Sequence, residues 1–332
     1  MSLDQAVNAN MVTIVPEGEI AGLMTPAAAF DAVEACFAAM ASRKAYNFPV
    51  IREAIGHADA LYGFKSGFDR ENLALGLKSG GYWPGNEAKG LTNHQSTVIL
   101  FDADTGRVKA LVGGNLLTAL RTAAAQAVSL KHLARPDSKV LGMIGAGHQS
   151  AFQMRAAVAQ MNFEKVVGWN LHPEMLSRLE ATAAELGLPF EPVSLADLGA
   201  QSDVIVSITS SFAPSLLADH VKPGTHLACM GTDTKGKQEV EAELLAKATV
   251  FTDEIAQSIS IGEAQHAIAR GLIAEGDIVE IGAVINGTHP GRKSDKEITL
   301  FDGTGVGLQD LAVAAKVVDL ALAQGVAQTV AF

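Results

Sequence analysis

Hydrophobic residues in the first third of the chain recur at two different spacings. Between residues 26 and 43 they fall three or four positions apart, as on one helix face, at Phe30, Val33, Phe37 and Met40. Thr25 directly precedes this segment and is placed to cap a helix. Residues 62–109 instead alternate in short segments that end at the turn sequence of residues 104–106. This region is predicted to be α+β with an antiparallel sheet.

The pattern changes after a long Ala-rich helix predicted for residues 117–134. Short, continuous apolar runs then alternate with segments of helical spacing. The runs are residues 140–144, 166–169, 204–208, 226–230 and 249–251. Apolar strands separated by helices indicate a parallel sheet that is covered on both faces. The predicted fold class is therefore α/β, with a Rossmann-type doubly wound sheet and a second, α+β domain.

The alternation fades near Ile281, and the chain closes with a strand at residues 298–301, a glycine-rich turn and a helix at 308–324. We assign this final strand and helix to the first domain. The predicted layout is therefore discontinuous. Residues 1–120 and 298–332 form one domain, and residues 121–297 form the dinucleotide-binding domain.

Composition is typical of a two-domain globular protein, with 332 residues, 48% of them apolar and 18% charged. The net charge of -11 argues against nucleic acid or acidic membranes as partners, so an anionic substrate needs a local basic pocket. Cys36 and Cys229 lie in apolar surroundings and are expected to be buried, in a reducing compartment. Residues 2–5 are polar rather than signal-like, which predicts a cytoplasmic protein. No histidine or cysteine has metal-ligand spacing, so no metal is expected.

Residues 139–150 read as a strand, a glycine turn and the start of a helix. Gly145 permits the tight turn, Gly147 allows the backbone to approach a pyrophosphate, and the helix start near His148 offers N–H groups and a positive dipole end. Ser150 stands where the third glycine of this fingerprint would be. Asn170 ends the next strand, at the position that meets the adenosine ribose. Because neither an acid nor an arginine stands there, NAD(H) is favoured and NADP(H) is the alternative.

Three charged residues stand out against their surroundings. Lys78 follows a small, apolar segment, and Arg121 lies inside the Ala-rich helix. A buried cation needs an anionic partner, so each is an anion-binding residue, one half of an internal salt bridge, or a snorkelling side chain with a buried stem and a solvated charge. Asp233 follows a predicted strand at its carboxyl end, the edge where open α/β sheets bind ligands; it is either a catalytic acid or a helix cap.

Six motifs, in order along nearly the whole chain, resemble the ornithine cyclodeaminase/μ-crystallin family. They are residues 76–79 with 84–86, 117–124, 144–147, 230–233, 262–263 and 299–305. The resemblance implies an NAD(P)H-dependent oxidoreductase that acts on C–N bonds, by imine reduction, amino-acid dehydrogenation or ornithine cyclisation. It also implies a homodimer that forms through the domain that does not bind the nucleotide, with a small anionic imino or amino acid as substrate.

The resemblance also implies roles for individual residues. The positions that match Arg52, Lys78 and Arg121 hold the substrate carboxylate, with Arg121 also near the cofactor. Asp233 handles the proton on the reacting nitrogen, and we take Asp233 and Lys78 as the catalytic residues. The implied cofactor contacts are Arg121, Gly145, Ala146, Gly147, His148, Gln149, Asn170, Thr209, Met230, Gly231, Thr232, Lys237, Gly303 and Thr304.

One departure from the family pattern bears on the substrate. Ornithine cyclodeaminases carry an acid between the first arginine and the lysine, to receive the distal amine. Here residues 61–65 have no acid and add Lys65, which favours a second carboxylate. Residues 45–57 and 80–84 are most similar to members that reduce iminosuccinate to L-aspartate in the β-hydroxyaspartate cycle. The alternatives are an alanine dehydrogenase or ketimine reductase, an ornithine cyclodeaminase, and a non-catalytic ligand-binding protein similar to μ-crystallin.

Overall fold

The structure, a computed structural model, describes residues 11–332, so the polar residues 2–5 lie outside it. Its strands are β1 (Met11–Val15), β2 (Ala45–Asn47), β3 (Ile51–Ala54), β4 (Leu61–Asp69), β5 (Ala74–Tyr82), β6 (His94–Phe101), β7 (Val108–Gly113), β8 (Val140–Ile144), β9 (Lys165–Trp169), β10 (Phe190–Pro192), β11 (Val204–Ser207), β12 (Phe212–Leu216), β13 (His226–Cys229), β14 (Gln238–Val240), β15 (Thr249–Thr252), β16 (Ile278–Glu280), β17 (Thr299–Asp302) and β18 (Gln328–Ala331).

The helices are α1 (Ile20–Leu23), α2 (Pro26–Ala41), α3 (Asn115–Leu133), α4 (Ser150–Gln160), α5 (Leu176–Glu185), α6 (Leu195–Gln201), α7 (Ala242–Lys247), α8 (Ile255–Ser258), α9 (Gln265–Ala269), α10 (Ile281–Ile285) and α11 (Gly307–Gln324). Short 3-10 turns lie at Glu17–Glu19, Glu87–Lys89, Pro173–Met175 and Glu275–Asp277. The described chain divides into two compact units. Unit 1 runs to Arg121 and resumes at Val306–Phe332, and unit 2 is Thr122–Gly305.

Unit 1 is built on a mainly antiparallel sheet, as predicted, with strand order β18-β1-β7-β6-β5-β4-β2 and with β3 paired to β4. Helix α11 packs on this sheet and against α2. Gly67 on β4 and Gly76 on β5 are paired in register beneath it. A Cβ on Gly76 would lie 2.3 Å from the Ile99 carbonyl oxygen and 2.9 Å from Leu311 Cδ2. These glycines therefore let α11 approach the sheet closely.

Helix α2 begins at the predicted cap, because the Thr25 hydroxyl accepts a hydrogen bond from the Ala28 N–H. Its buried residues are Ala29, Val33, Cys36, Phe37, Ala39 and Met40, which confirms the helical spacing and the burial of Cys36. Among residues 11–332, no single helix is long and apolar enough to cross a membrane. The segments Glu17–Leu23 and Pro26–Ala41, bent by 92°, pass the same test of length and composition as a pair.

Unit 2 contains a parallel sheet with strand order β10-β9-β8-β11-β13-β17-β15-β16. From β8 the chain builds β9 and β10 on one side and then returns to add β11 on the other side. This reversal between β8 and β11 is a topological switch point, where ligands bind at the carboxyl ends of the strands. The Rossmann-type, doubly wound prediction is confirmed.

The sequence assignment of the final strand to the first domain is wrong. Strand β17 pairs in parallel with β13 and β15 inside the sheet of unit 2, and all four of its residues are buried. Leu300 and Phe301 are fully buried, and an interior strand of a parallel sheet, which is covered on both faces, provides such a position. Helix α11, which follows β17, lies in unit 1, as the sequence predicted.

We predict that Leu311→Ala destabilises the protein by about 2–5 kcal/mol, because a fully buried leucine leaves a cavity when it is truncated. Chemical denaturation measures the loss. Leu322→Ala is the matched control, since Leu322 is 52% exposed on the same helix, and it should change stability by less than about 0.5 kcal/mol. Equal losses in the two variants would contradict the packing of α11 described above.

Candidate active site

Unit 1 buries two cations on one carboxylate. Lys78 projects from β5, Arg121 from α3, and Asp310 from the first turn of α11. The Lys78 Nζ donates to Asp310 Oδ1 at 2.9 Å, and the Arg121 Nε donates to the same oxygen at 2.9 Å. All three side chains are buried, Asp310 completely. Thr118 and Gln309 extend the cluster, as a further partner of Lys78 and of Arg121 respectively.

A third cation enters the same cluster, because Lys65 on β4 is paired in register with Lys78 and is also buried. The pKa of Lys78 is lowered to about 7. Burial is the largest cause, Arg121 and Lys65 act in the same direction, and Asp310 opposes them. Burial alone would raise the pKa of Asp310, but Arg121 and Lys78 hold it below its usual value. Lys78 and Arg121 share Asp310 as a counter-charge, and two cations on one carboxylate favour an added carboxylate.

Asp310 was not identified from the sequence. The argument that buried cations need an anionic partner was right, but that partner lies 232 residues from Lys78. Lys78 and Arg121 both form the internal salt bridge that was one of the alternatives, and their binding of a substrate anion remains a prediction. The signal available in the sequence was an acid, Asp310, among the mostly apolar residues 306–314 at the start of the final helix.

Arg52 and His94 lie at the margin of this cluster. Arg52 is half-buried on β3, opposite Gly63 of β4. Burial lowers the pKa of His94 to about 3, and the charges of Lys78, Arg121 and Arg52 act in the same direction. His94 is therefore a neutral imidazole in the physiological range. Unit 1 thus brings together all four predicted substrate-binding residues, with Arg52 the least buried.

In unit 2 the predicted glycine turn lies at the switch point. Gly145 has a φ of +102°, and a Cβ there would lie 2.6 Å from the Ile208 carbonyl oxygen, just beyond β11. Only glycine fits this left-handed, crowded position. Ser150 is buried and its hydroxyl donates to the Gly147 carbonyl at 2.8 Å. The small residue therefore fastens the turn to the first residue of α4.

Both polar atoms of the Asn170 side-chain amide form hydrogen bonds at this turn. Its Oδ1 accepts the Ala146 N–H at 3.0 Å, and its Nδ2 donates to the His172 carbonyl at 2.9 Å. The side chain thus connects the loop after β8 to the loop after β9. The sequence placed it at the ribose position, and its contact with the cofactor remains a prediction.

The turn fits a dinucleotide pyrophosphate. In the described part of the chain, the N–H groups of Gly147, His148 and Gln149 donate to no backbone or side-chain acceptor, which leaves them for an anion at the amino end of α4. A Cβ on Gly147 would meet nothing within 4 Å, so the backbone is open on that side. The buried Gln149 Oε1 also has no hydrogen-bond partner within residues 11–332, as expected for a side chain that contacts a ligand.

Asp233 lies beyond the end of β13, half-buried, as predicted. Its Oδ1 accepts a hydrogen bond from the Lys237 ammonium at 2.8 Å, and the same ammonium donates to the Gly231 carbonyl at 3.2 Å. Lys237, predicted as a cofactor contact, therefore also positions the Asp233 carboxylate. This pair lies at the carboxyl edge of the sheet, where a ligand at the switch point would be bound.

Other residues that were predicted to contact the cofactor form hydrogen bonds or close contacts within the protein. The Thr209 hydroxyl donates to Glu239, and the buried Thr304 hydroxyl donates to Asp253. Gly303 packs so closely on Met230 that a Cβ would lie 2.6 Å from the thioether sulfur. Thr232 is fully buried and donates to Glu263. The acids that hold these residues were not predicted, because each is distant in sequence from the residue that it binds.

Metal and thiol chemistry find no support in residues 11–332. No group of three or more histidine, cysteine, aspartate or glutamate side chains there could hold a metal ion. Cys229 is fully buried, and burial with the nearby Glu263, Glu239 and Asp302 raises the pKa of its thiol well above the usual value. The sequence prediction that Cys229 belongs to the core is confirmed.

A parallel sheet with a glycine turn at its switch point defines the class of dinucleotide-binding α/β proteins. The order of the six sequence motifs identifies one family within this class. Residues 9–325 match the ornithine cyclodeaminase/mu-crystallin family, and the chain belongs to that family. The family resemblance found in the sequence is thereby confirmed.

The chain is 71% identical to the iminosuccinate reductase of Paracoccus denitrificans over 317 residues, which cover 96% of this chain and 99% of that protein. The crystal structure of the Paracoccus iminosuccinate reductase in complex with NAD+ matches with a TM-score of 0.93 at 70% identity, covering 97% of this chain and 100% of that one. An alanine dehydrogenase of Archaeoglobus fulgidus is 34% identical, over 96% of this chain and 98% of that protein. A solved archaeal alanine dehydrogenase dimer with bound NAD has a TM-score of 0.91 at 32% identity, covering 97% and 99%.

We predict that Lys78→Met weakens binding of an amino-acid carboxylate, with L-aspartate as the probe, by about 10- to 100-fold, because one charged hydrogen-bond donor is lost. In the wild type the ammonium is lost as pH rises through about 7, so affinity should fall between pH 6 and pH 8. The variant should lose this pH dependence. Calorimetric titration in the presence of NAD+ measures both effects.

The matched control is Lys109→Met, which removes an exposed lysine of β7 in the same unit. It should bind the probe like the wild type at every pH. An unchanged affinity in Lys78→Met, or the same alkaline fall in that variant, would show that Lys78 does not hold the carboxylate.

Proposed function

We propose that this chain is an NADH-dependent imine reductase that converts iminosuccinate to L-aspartate. The observation that carries the proposal is the buried cluster of Lys65, Lys78 and Arg121 around Asp310 in unit 1. A dicarboxylic substrate supplies the negative charge that such a cluster favours. The high identity to the Paracoccus reductase along the whole chain supports the same substrate.

The cationic residues bind and orient the substrate. Arg121 and Lys78 hold the carboxylate next to the imine carbon, and Asp310 keeps both cations in place. Lys65 and Arg52 serve the distal carboxylate. Each charged hydrogen bond contributes about 1.5–3 kcal/mol. Two of them at the distal group would separate a dicarboxylate from alanine-like substrates by about two orders of magnitude or more.

The reaction adds two electrons and two protons to the C=N bond in total. When bound, NADH supplies a hydride to the imine carbon and becomes NAD+. The electron pair of the C=N bond moves to nitrogen, and Asp233, or a water that it holds, manages the proton there. Lys237 holds this carboxylate at the edge of the sheet. The protein contributes mostly position and charge complementarity.

We further propose NAD(H) as the working cofactor, a homodimer and a cytoplasmic location. No carboxylate or arginine stands at the position of Asn170, and both NAD-bound relatives support NAD(H) over NADP(H). The archaeal alanine dehydrogenase is a dimer, which supports a dimer here, and the family resemblance implies that its interface lies in unit 1. The two buried thiols support a reducing compartment.

The decisive measurement is NADH oxidation with oxaloacetate plus ammonia, compared with pyruvate plus ammonia. We predict a kcat/KM that is about 100-fold higher or more for the dicarboxylic imine, since the distal carboxylate gains two charged contacts. A preference for pyruvate would instead establish an alanine dehydrogenase, which the 34% identity to the Archaeoglobus enzyme makes the second candidate. Proline formed from ornithine would establish a cyclodeaminase.

We also predict that Asp233→Asn lowers kcat by about 100-fold or more, because proton transfer at nitrogen loses its carboxylate. The amide oxygen can still accept from Lys237, so the loop should keep its position and NADH affinity should stay near the wild-type value. Fluorescence titration of NADH and steady-state kinetics measure the two quantities. Full activity in Asp233→Asn would favour a different proton donor.

A further inference from the structure

Glu239 is a fully buried carboxylate that connects the ends of two neighbouring strands of unit 2. Its Oε1 accepts from the Ser207 hydroxyl at 2.6 Å, the Thr209 N–H at 2.7 Å and the Thr209 hydroxyl at 2.9 Å. Its Oε2 accepts the Gly231 N–H at 2.7 Å. Ser207 ends β11, and Gly231 follows the end of β13. One side chain therefore holds both loops.

Two further buried acids, Glu263 and Asp302, hold the backbone around Glu239 through hydrogen bonds. Glu263 accepts the Glu239 N–H at 2.9 Å and the Val240 N–H at 2.8 Å, as well as the Thr232 hydroxyl. Asp302, at the end of β17, accepts the Glu263 N–H at 2.8 Å. Asp302 thus holds the backbone of Glu263, and Glu263 holds the backbone of Glu239. We refer to these three residues as the acid ladder.

The ladder ends where a dinucleotide would be bound. Thr209 follows β11, one of the two strands at the switch point, and the preceding Ile208 carbonyl abuts Gly145 of the glycine turn. Gly231 lies so near this loop that a Cβ on it would be 2.1 Å from the Thr209 carbonyl oxygen. Residues 231–233 continue to the proposed catalytic Asp233. Glu239 therefore sets the spacing of two loops at the ligand-binding edge of the sheet.

We propose that Glu239 is a positioning residue for the cofactor, which fixes the loops at Thr209 and Gly231 in the arrangement that NADH requires. This inference rests on the use of NADH in the proposed function. An ionised or neutral carboxyl group can satisfy the two main-chain N–H groups with its two oxygens. An amide cannot, because either orientation places its NH2 group against the N–H of Thr209 or of Gly231.

The test is titration of NADH against the purified full-length protein, followed by NADH fluorescence, which yields the stoichiometry and the Kd. Glu239→Gln should raise the Kd by about tenfold or more with unchanged stoichiometry, because one loop is released. Ser207→Ala removes a single donor to Oε1 and should raise the Kd by about threefold. A residue that only stabilises the fold would reduce the number of binding sites and leave the Kd unchanged.

The matched control is Asp203→Asn, at the opposite edge of the same sheet. Asp203 also holds two backbone N–H groups, those of Lys139 and Val140, at 2.8 and 3.0 Å, and it is also buried. Its amide variant should lower the melting temperature and keep the NADH Kd within about twofold of wild type. A general loss of stability and a loss of positioning are thereby separated.

The proposal is overturned if Glu239→Gln and Ser207→Ala both bind NADH like the wild type, or if Asp203→Asn weakens NADH as much as Glu239→Gln. Should Glu239→Gln fail to fold, Ser207→Ala decides by the same criterion. The titration contains no imine. A wild-type protein that binds NADH but does not reduce iminosuccinate would refute the proposed function while leaving this test intact.

Discussion

Charge that is buried must be compensated, and the contact of Asp310 with Lys78 and Arg121 is where unit 1 meets this requirement. An uncompensated ammonium or guanidinium in a protein interior costs several kcal/mol. The carboxylate of α11 removes most of that cost, and the helix is held in place because Gly67 and Gly76 let it approach the sheet. The packing of one helix thus determines whether the basic residues can stay buried and ready for an anion.

In unit 2, buried acids satisfy backbone N–H groups, whereas in unit 1 a buried acid compensates buried cations. Loops at the carboxyl ends of parallel strands leave N–H groups that no strand partner can satisfy. Buried carboxylates accept many of them, and burial with the neighbouring Glu239 raises the pKa of Glu263 to about 8. Asp253 serves the turn of Thr304 and Gly305 in the same way. The loops at this edge are therefore held by hydrogen bonds within the protein, an arrangement that preorganised sites require.

Local and periodic features were predictable from the sequence. The glycine turn, the parallel strands, the cap at Thr25 and the burial of Lys78 and Arg121 follow from patterns within about twenty residues. The position of β17 and the identity of Asp310 do not, because both depend on pairing across the chain. Asn170 shows a third limit: its position at the strand end was correct, whereas its hydrogen bonds inside the turn depend on the fold of two loops.

The late position of Asp310 in the chain also bears on the order of events during synthesis. Lys65, Lys78 and Arg121 leave the ribosome long before residue 310, so the strands of unit 1 exist for a time without their counter-charge. Burial of the cations, and with it the packing of the sheet, must wait for α11. The part of unit 1 made first is therefore exposed until the end of the chain is synthesised, and exposed apolar surface and unpaired strand edges favour aggregation during that interval.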